Sequence, residues 1–192
     1  AGVTIDAFGP SAALDRFVTT LSSSPPPAAQ IRDLAWENIP AETQREFVIV
    51  GSRKDGDLAV SIPPDLTTCP DCLAEIDDPG NRRYRYPFTN CTNCGPRFTI
   101  ALEVPYDRPS TTMAAFAMCQ DCRREYDDPG NRRFHAQPNA CPVCGPRLTV
   151  LSPAGTPLDW PDPIRGSARA LADGLIVAVK GLGGFHLACD AT

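Results

Sequence analysis

The sequence predicts an α+β chain in which a metal-organised middle separates two short units of ordinary secondary structure. Three observations lead there. Eight of the nine cysteines fall into four Cys-x-x-Cys pairs repeated at a fixed interval. The stretch before them alternates apolar and polar residues, then turns to helical spacing. The stretch after them carries an amphipathic run, a glycine, a short apolar run and a glycine-rich turn.

Residues 1–50 read as an α+β unit of their own. Val3, Ile5 and Ala7 alternate with Thr4 and Asp6, as in a half-buried strand, and Gly9-Pro10 ends it. Ser11 is placed to cap a helix carrying Leu14, Phe17, Val18 and Leu21 on one face, stopped by Ser22–Pro27. Ile31–Ile39 and Phe47–Val50 read as two more strands. The order β-α-β-β is a partial ferredoxin-like unit. Residues 51–68 form a polar, proline-bearing linker.

Residues 69–148 hold the duplication. Segment 69–98 aligns without gaps to segment 119–148, with 16 identities in 30 positions, and each cysteine has its counterpart 50 positions on. A Cys-x-x-Cys turn brings two sulfurs to one side of a tight loop, and two such turns supply the four thiolates of a closed tetrahedral zinc site. A duplicated unit should be self-sufficient. Cys69, Cys72, Cys91 and Cys94 are therefore expected to bind one ion, and Cys119, Cys122, Cys141 and Cys144 the other, giving two Zn(2+) per chain. Rubredoxin-like iron uses the same ligands and stays open. Disulfides would need an oxidising compartment, against which the absence of a signal peptide speaks, and a thioredoxin-like redox pair fits four matched pairs poorly. With four thiolates per site there is no open catalytic position.

Glycine follows the last cysteine of each set, at Gly95 and Gly145, where a positive φ would turn backbone N–H groups toward sulfur. Each Asp-Asp-Pro-Gly-Asn turn precedes a basic cluster, Arg82, Arg83 and Arg85 in one repeat and Arg132, Arg133 and His135 in the other. These clusters read as solvated loops with Asp–Arg pairs, with anion or partner docking as the alternative. His135 stands opposite Arg85 in the repeat, so it is not expected to be an essential ligand. Phe98–Met118 joins the repeats.

Residues 151–163 form a second Pro/Asp-rich linker. Residues 164–192 open an α/β unit: a helix over Ile164–Ala172 with Ile164, Ala168, Leu171 and Ala172 on one face, Gly174 as its stop, a buried strand over Leu175–Val179, then Lys180-Gly-Leu-Gly-Gly-Phe-His186 as a glycine-rich turn. Such a turn after a strand can bring backbone N–H groups to phosphate, though structural glycines explain it equally well. Cys189 is expected as small buried filler, and Trp36 and Trp160 as packing residues.

The formal charge is −5; eight thiolates and two dications take it to −9. That balance disfavours a zinc-ribbon nucleic-acid binder, which needs a basic face. No apolar run approaches the ~18–20 residues of a membrane span. The chain lacks an initial methionine and ends just after an apolar run, as a fragment of a longer protein would. A soluble, cytoplasmic protein is expected.

Several segments carry a family resemblance. They are Arg82-Arg83-Tyr84-Arg85-Tyr86-Pro87-Phe88, Asn90-Cys91-Thr92-x-Cys94-Gly95-Pro96-Arg97-Phe98-Thr99-Ile100, Pro105-Tyr106-Asp107-Arg108-Pro109, Arg133-Phe134-His135-Ala136-Gln137-Pro138 and Lys180-Gly-Leu-Gly-Gly-Phe-His-Leu-Ala-Cys-Asp190. Together they resemble the HypF family of hydrogenase-maturation carbamoyltransferases, over nearly the whole chain and in the same order. The resemblance implies the end of an acylphosphatase-like domain (1–50), a tandem four-cysteine zinc-finger domain (69–98 and 119–148) and the start of a YrdC-like domain (164–192). It implies, for the parent protein, ATP-dependent conversion of carbamoyl phosphate to carbamoyl-adenylate. The carbamoyl group then passes to the C-terminal cysteine of a HypE-type partner, as precursor of the cyanide ligands of [NiFe]-hydrogenase. The family's anion loop and asparagine fall upstream of Ala1, so no catalytic residue is assigned here. Lys180 and His186 are the candidates for contact with substrate. The competing expectation is a freestanding zinc-binding protein-interaction module.

Overall fold

The computed structural model describes residues 3–29, 31–43, 46–50 and 62–192. Most of the first linker, 51–61, lies outside them.

The first helix, α1, runs Ser11–Ser23. Ser11 is its first helical residue rather than its cap; Pro10 precedes it in extended conformation, and no side chain caps the N-terminus. A proline already fixed near φ −60° suits the entry to a helix without such a bond. The segments read as strands, Val3–Ala7, Ile31–Ile39 and Phe47–Val50, form no ladder among the described residues. Alternation specifies a face, but a strand exists only against a partner, and here Val3, Phe47 and Val50 stay mostly exposed. Trp36 is likewise exposed rather than packed. The Phe47 ring instead approaches the Phe134 ring of the second repeat, with centroids 6.0 Å apart.

In each repeat a short helix begins immediately after the first cysteine: α2, Pro70–Asp77, after Cys69, and α3, Gln120–Asp127, after Cys119. The Asp-Asp-Pro-Gly-Asn turn closes each helix. Asp78 and Asp128 accept from the backbone N–H of Gly80 and Gly130 at 2.8 and 2.9 Å. Their carboxylates therefore serve the turn, not the neighbouring arginines.

The segment joining the repeats is part of the core. Short 3₁₀ turns at Phe98–Ile100, Arg108–Ser110 and Thr112–Ala115 carry it across the domain. Ile100 and Met113 pack with Tyr86 of repeat one and Ala140 of repeat two, flanked by Phe88, Tyr106 and Phe116. Arg108 is buried, and its guanidinium donates to the carbonyls of Gln137, Asn139 and Phe116. Its backbone N–H donates to Gln137 Oε1 at 2.7 Å. The joining segment is thus pinned to the second repeat by a charged side chain with every partner a backbone oxygen.

After a two-residue ladder of β1 (Val150–Leu151) with β2 (Pro157–Leu158), α4 spans Pro163–Ala172. Asp162 accepts from Arg165 N–H and Pro163 opens the helix. Gly174 ends it at φ +79°, with Leu175 N–H bonded to Ala170 O and Gly174 N–H to Leu171 O, the paired bonds of a Schellman end. Trp160 packs over Gly166, where a Cβ would lie 2.3 Å from its ring. The expected strand is β3, Val177–Lys180, and it is mostly exposed rather than buried. It turns back through Gly181–Gly184 into an antiparallel partner, β4, Phe185–Ala188, so the glycine-rich turn is a hairpin. Cys189 lies beyond that hairpin and is exposed, not buried filler. No described helix is long and apolar enough to cross a membrane.

Candidate metal centres

The structure brings the eight cysteines together in the two sets expected, Cys69/Cys72/Cys91/Cys94 and Cys119/Cys122/Cys141/Cys144. In the first, Sγ–Sγ distances are 3.7 Å for Cys69–Cys91, 3.8 Å for Cys91–Cys94 and 3.6 Å for Cys72–Cys94. The second repeats 3.7, 3.8 and 3.6 Å at the matching pairs. A tetrahedron with metal–sulfur bonds of about 2.3 Å has sulfur edges of about 3.8 Å, so each donor set fits a closed four-thiolate ion. A disulfide needs about 2.05 Å, which excludes cystines here.

Local structure explains the convergence. Cys69 and Cys119 sit at the N-caps of α2 and α3, and Cys72 and Cys122 lie in their first turns. Both sulfurs of each pair are therefore carried by the start of one helix. Gly95 takes the expected positive φ, +90°, but its N–H bonds Leu66 O rather than sulfur. A backbone donor to sulfur is Asn93 N–H, 3.4 Å from Cys91 Sγ. Gly145 is not a positive-φ glycine. Glycine is needed there for closeness: a Cβ would lie 2.2 Å from Tyr86 Oη and 2.5 Å from Ala140 Cβ.

The basic clusters are not solvated loops. Each reaches across to the other repeat. Arg82 Nη2 lies 3.4 Å from Cys122 Sγ and 2.6 Å from Glu125. Arg83, fully buried, donates to Glu125 at 2.6 Å, to Ala140 O at 2.9 Å and to Asn139 Oδ1 at 3.0 Å. In mirror fashion, Arg132 Nη1 lies 3.0 Å from Cys72 Sγ and its Nη2 2.6 Å from Glu75. Arg133, equally buried, pairs with Glu75 and donates to Asn90 O at 3.0 Å. The doublet Arg-Arg and the glutamate three residues after the second cysteine of each first pair were visible in the repeat. Nothing in their spacing told that they exchange partners. Burial works against the charge of Glu125, but the Arg83, Arg133 and Arg82 guanidinium groups outweigh it and hold the carboxyl at about 2. Glu75 is lowered too: burial opposes it, and Arg133 and Arg132 prevail.

His135 is outside both cysteine sets, as its position opposite Arg85 suggests. Its ring stacks on Tyr126, with centroids 4.8 Å apart. Arg85 pairs with Asp162 at 2.9 Å. Lys180 stands opposite Phe185 and His186 opposite Val179 in the hairpin. Opposite residues share a face and successive ones alternate, so Lys180 and His186 project from opposite faces.

The HypF finger family matches residues 68–101 and 118–151. The chain is 52% identical to Carbamoyltransferase HypF2 of Cupriavidus necator, over all of this chain and 24% of that protein. It is 52% identical to Carbamoyltransferase HypF of Synechocystis, over all of this chain and 25% of that protein. The chain thus spans about a quarter of the length of these relatives. Its fold is similar to a crystal structure of full-length HypF in a phosphate- and nucleotide-bound form, with a TM-score of 0.86 and 46% identity, covering 95% of this chain and 24% of that one. A crystal structure of T. kodakarensis HypF gives a TM-score of 0.78 at 46% identity, over 95% of this chain and 23% of that one. From end to end, then, the chain resembles a segment of the HypF carbamoyltransferases, built around two HypF fingers.

Proposed function

We propose that this chain is the metal-organised part of a cytoplasmic carbamoyltransferase of [NiFe]-hydrogenase maturation, and that its own task is structural. The observation that carries the reading is the pair of four-sulfur clusters at tetrahedral spacing within a sequence 52% identical to Carbamoyltransferase HypF2. In this reading residues 1–50 close an acylphosphatase-like domain, 69–148 are the tandem zinc fingers and 164–192 open a YrdC-like domain. Cys69, Cys72, Cys91 and Cys94 hold one Zn(2+), and Cys119, Cys122, Cys141 and Cys144 the second. Bound there, the ion supplies charge neutralisation and a four-way cross-link, not an activated water, because four thiolates leave no open position. The chain's residues do the rest: the starts of α2 and α3 carry the first pair of sulfurs of each set, and the arginine pairs dock one finger on the other.

For the complete parent, the reading includes ATP and carbamoyl phosphate as substrates and a HypE-type protein as acceptor. Lys180 and His186 are its candidate substrate contacts; their opposite faces on the hairpin imply that each would act on a different group. Neither nucleic acid nor a membrane belongs to the scheme.

The test is metal analysis of the purified chain after growth with ample zinc. Two tightly held zinc ions per chain, lost together with far-UV dichroism on complete chelation, are expected. Fewer than two, or dichroism and protease resistance of 69–148 untouched by chelation, would overturn the reading. In the complete parent, Cys72→Ser should lower stability and metal content and reduce carbamoyl transfer only through loss of folded enzyme.

A further inference from the structure

Each cysteine set comes from one repeat, but the cations around it come from the other. Site one is faced by Arg132, with Arg133 held beside it on Glu75, and site two by Arg82 and Arg83. Four thiolates around one dication leave each site with two excess negative charges, and the arginine doublet of the other repeat brings positive charge beside it: Arg132 donates to Cys72 Sγ at 3.0 Å, and Arg82 and Arg83 to Cys122 Sγ at 3.4 and 3.7 Å. Glu75 and Glu125 hold those guanidiniums in place. The exchange is complete at the backbone level too: Arg83 Nε donates to Ala140 O, and Arg133 Nε to Asn90 O, its counterpart.

The consequence follows from where these arginines are anchored. Arg82 and Arg83 are aimed by the turn that follows α2, and that turn stands on the segment closed by site one. When site one is empty, that turn loses its anchor, and the donors to the negative charge at site two are less firmly placed. The same holds in reverse for Arg132 and Arg133. Outer hydrogen bonds to metal ligands commonly change affinity by about 10–100-fold.

We propose that the two four-cysteine sites form one cooperative metal-binding unit, in which the Arg82/Arg83–Glu125 and Arg132/Arg133–Glu75 clamps make occupancy of either site raise the affinity of the other. The inference rests on the metal reading above, and the coupling is reciprocal by thermodynamic necessity.

The experiment is zinc titration of the whole chain followed by native mass spectrometry. Two independent, matched sites would give about half of the chains singly loaded at half saturation, and a tenfold coupling lowers that to about a quarter. The expected result is a singly loaded fraction at or below that quarter, with both ions released by excess chelator in one kinetic phase. The double variant Arg82→Gln/Arg132→Gln, which keeps all eight cysteines, is expected to bind two ions with the singly loaded form restored to about half. A wild-type fraction at or above half, with release in two separate phases, overturns the proposal and leaves the metal reading standing. Unchanged coupling in the double variant overturns the role of the clamps. Should that variant fail to fold, the wild-type species distribution and release kinetics decide alone. No bound zinc at all would overturn both readings.

Discussion

Replacing Glu125 by glutamine keeps the shape and the hydrogen-bonding oxygen and removes one charge from the middle of the inter-repeat contact. That carboxylate lies 2.6 Å from both Arg82 and Arg83, and its side chain is only 19% exposed. Its carboxyl is held at about 2, against an ordinary 4.5. At about 1.4 kcal/mol per pH unit, the ion pairs stabilise the folded state by roughly 3 kcal/mol. Removing one partner of a buried pair gives a similar scale, about 3–5 kcal/mol, because Arg83 would keep a buried charge with no carboxylate beside it. Urea unfolding of zinc-loaded protein, at a fixed free zinc concentration and neutral pH, should therefore show Glu125→Gln less stable by roughly 3 kcal/mol. The folded carboxyl is depressed, so its contribution is full above about pH 4.5 and fades only as pH falls toward about 2. The difference between wild type and variant should accordingly be flat across the neutral range. It should also resist salt, unlike an exposed pair. A difference below about 0.5 kcal/mol, or one abolished by salt, would refute the reasoning.

Three further outcomes can be checked independently. Cys72→Ser is expected to bring zinc content to one ion per chain or fewer, by elemental analysis; two retained ions would remove Cys72 from the ligand set. Gly145→Ala should destabilise the loaded protein by about 1–3 kcal/mol in the same urea assay, because the new Cβ meets Tyr86 Oη at 2.2 Å and Ala140 Cβ at 2.5 Å. Gly155→Ala provides its control, since nothing lies within 4 Å of that Cβ and only the strain of φ +82° is felt. The purified chain should show no turnover of an acyl phosphate, nor of carbamoyl phosphate with ATP, because a closed thiolate site offers neither a bound water nor an anion cradle. Turnover that survives stringent repurification would place catalytic residues within these 192 positions.

Much of the site could be read directly. Duplication at a 50-residue offset sorted the eight cysteines into the two sets that the fold brings together, because two local turns and a gapless repeat suffice to group them. The same offset removed His135 from consideration. Helices α1 and α4 followed from apolar spacing and from Gly174, which are short-range signals. Strands followed less well. Alternation at Val3–Ala7, Ile31–Ile39 and Phe47–Val50 states a preference, but a ladder requires a second chain segment that spacing cannot supply. Strand β3 was expected, but its partner β4 was missed for the converse reason: Lys180–His186 looked like a glycine-rich loop, and only pairing with β3 makes Phe185–Ala188 a strand.

The arginines mark the boundary most clearly. Their sequence neighbours are aspartates, and a local reading pairs them there. Asp78 and Asp128 are committed to turn N–H groups, while Glu75, Glu125 and the cysteine sulfurs that receive the guanidiniums belong to the other repeat. The Cys-x-x-Cys turns and their repetition were written in the sequence. The docking of one finger on the other depends on contacts made some forty to sixty positions apart, such as Arg82 with Glu125 and Arg132 with Cys72. Only the folded chain brings such groups together, and burial then turns what would have been ordinary surface charges into the fastening between the two halves.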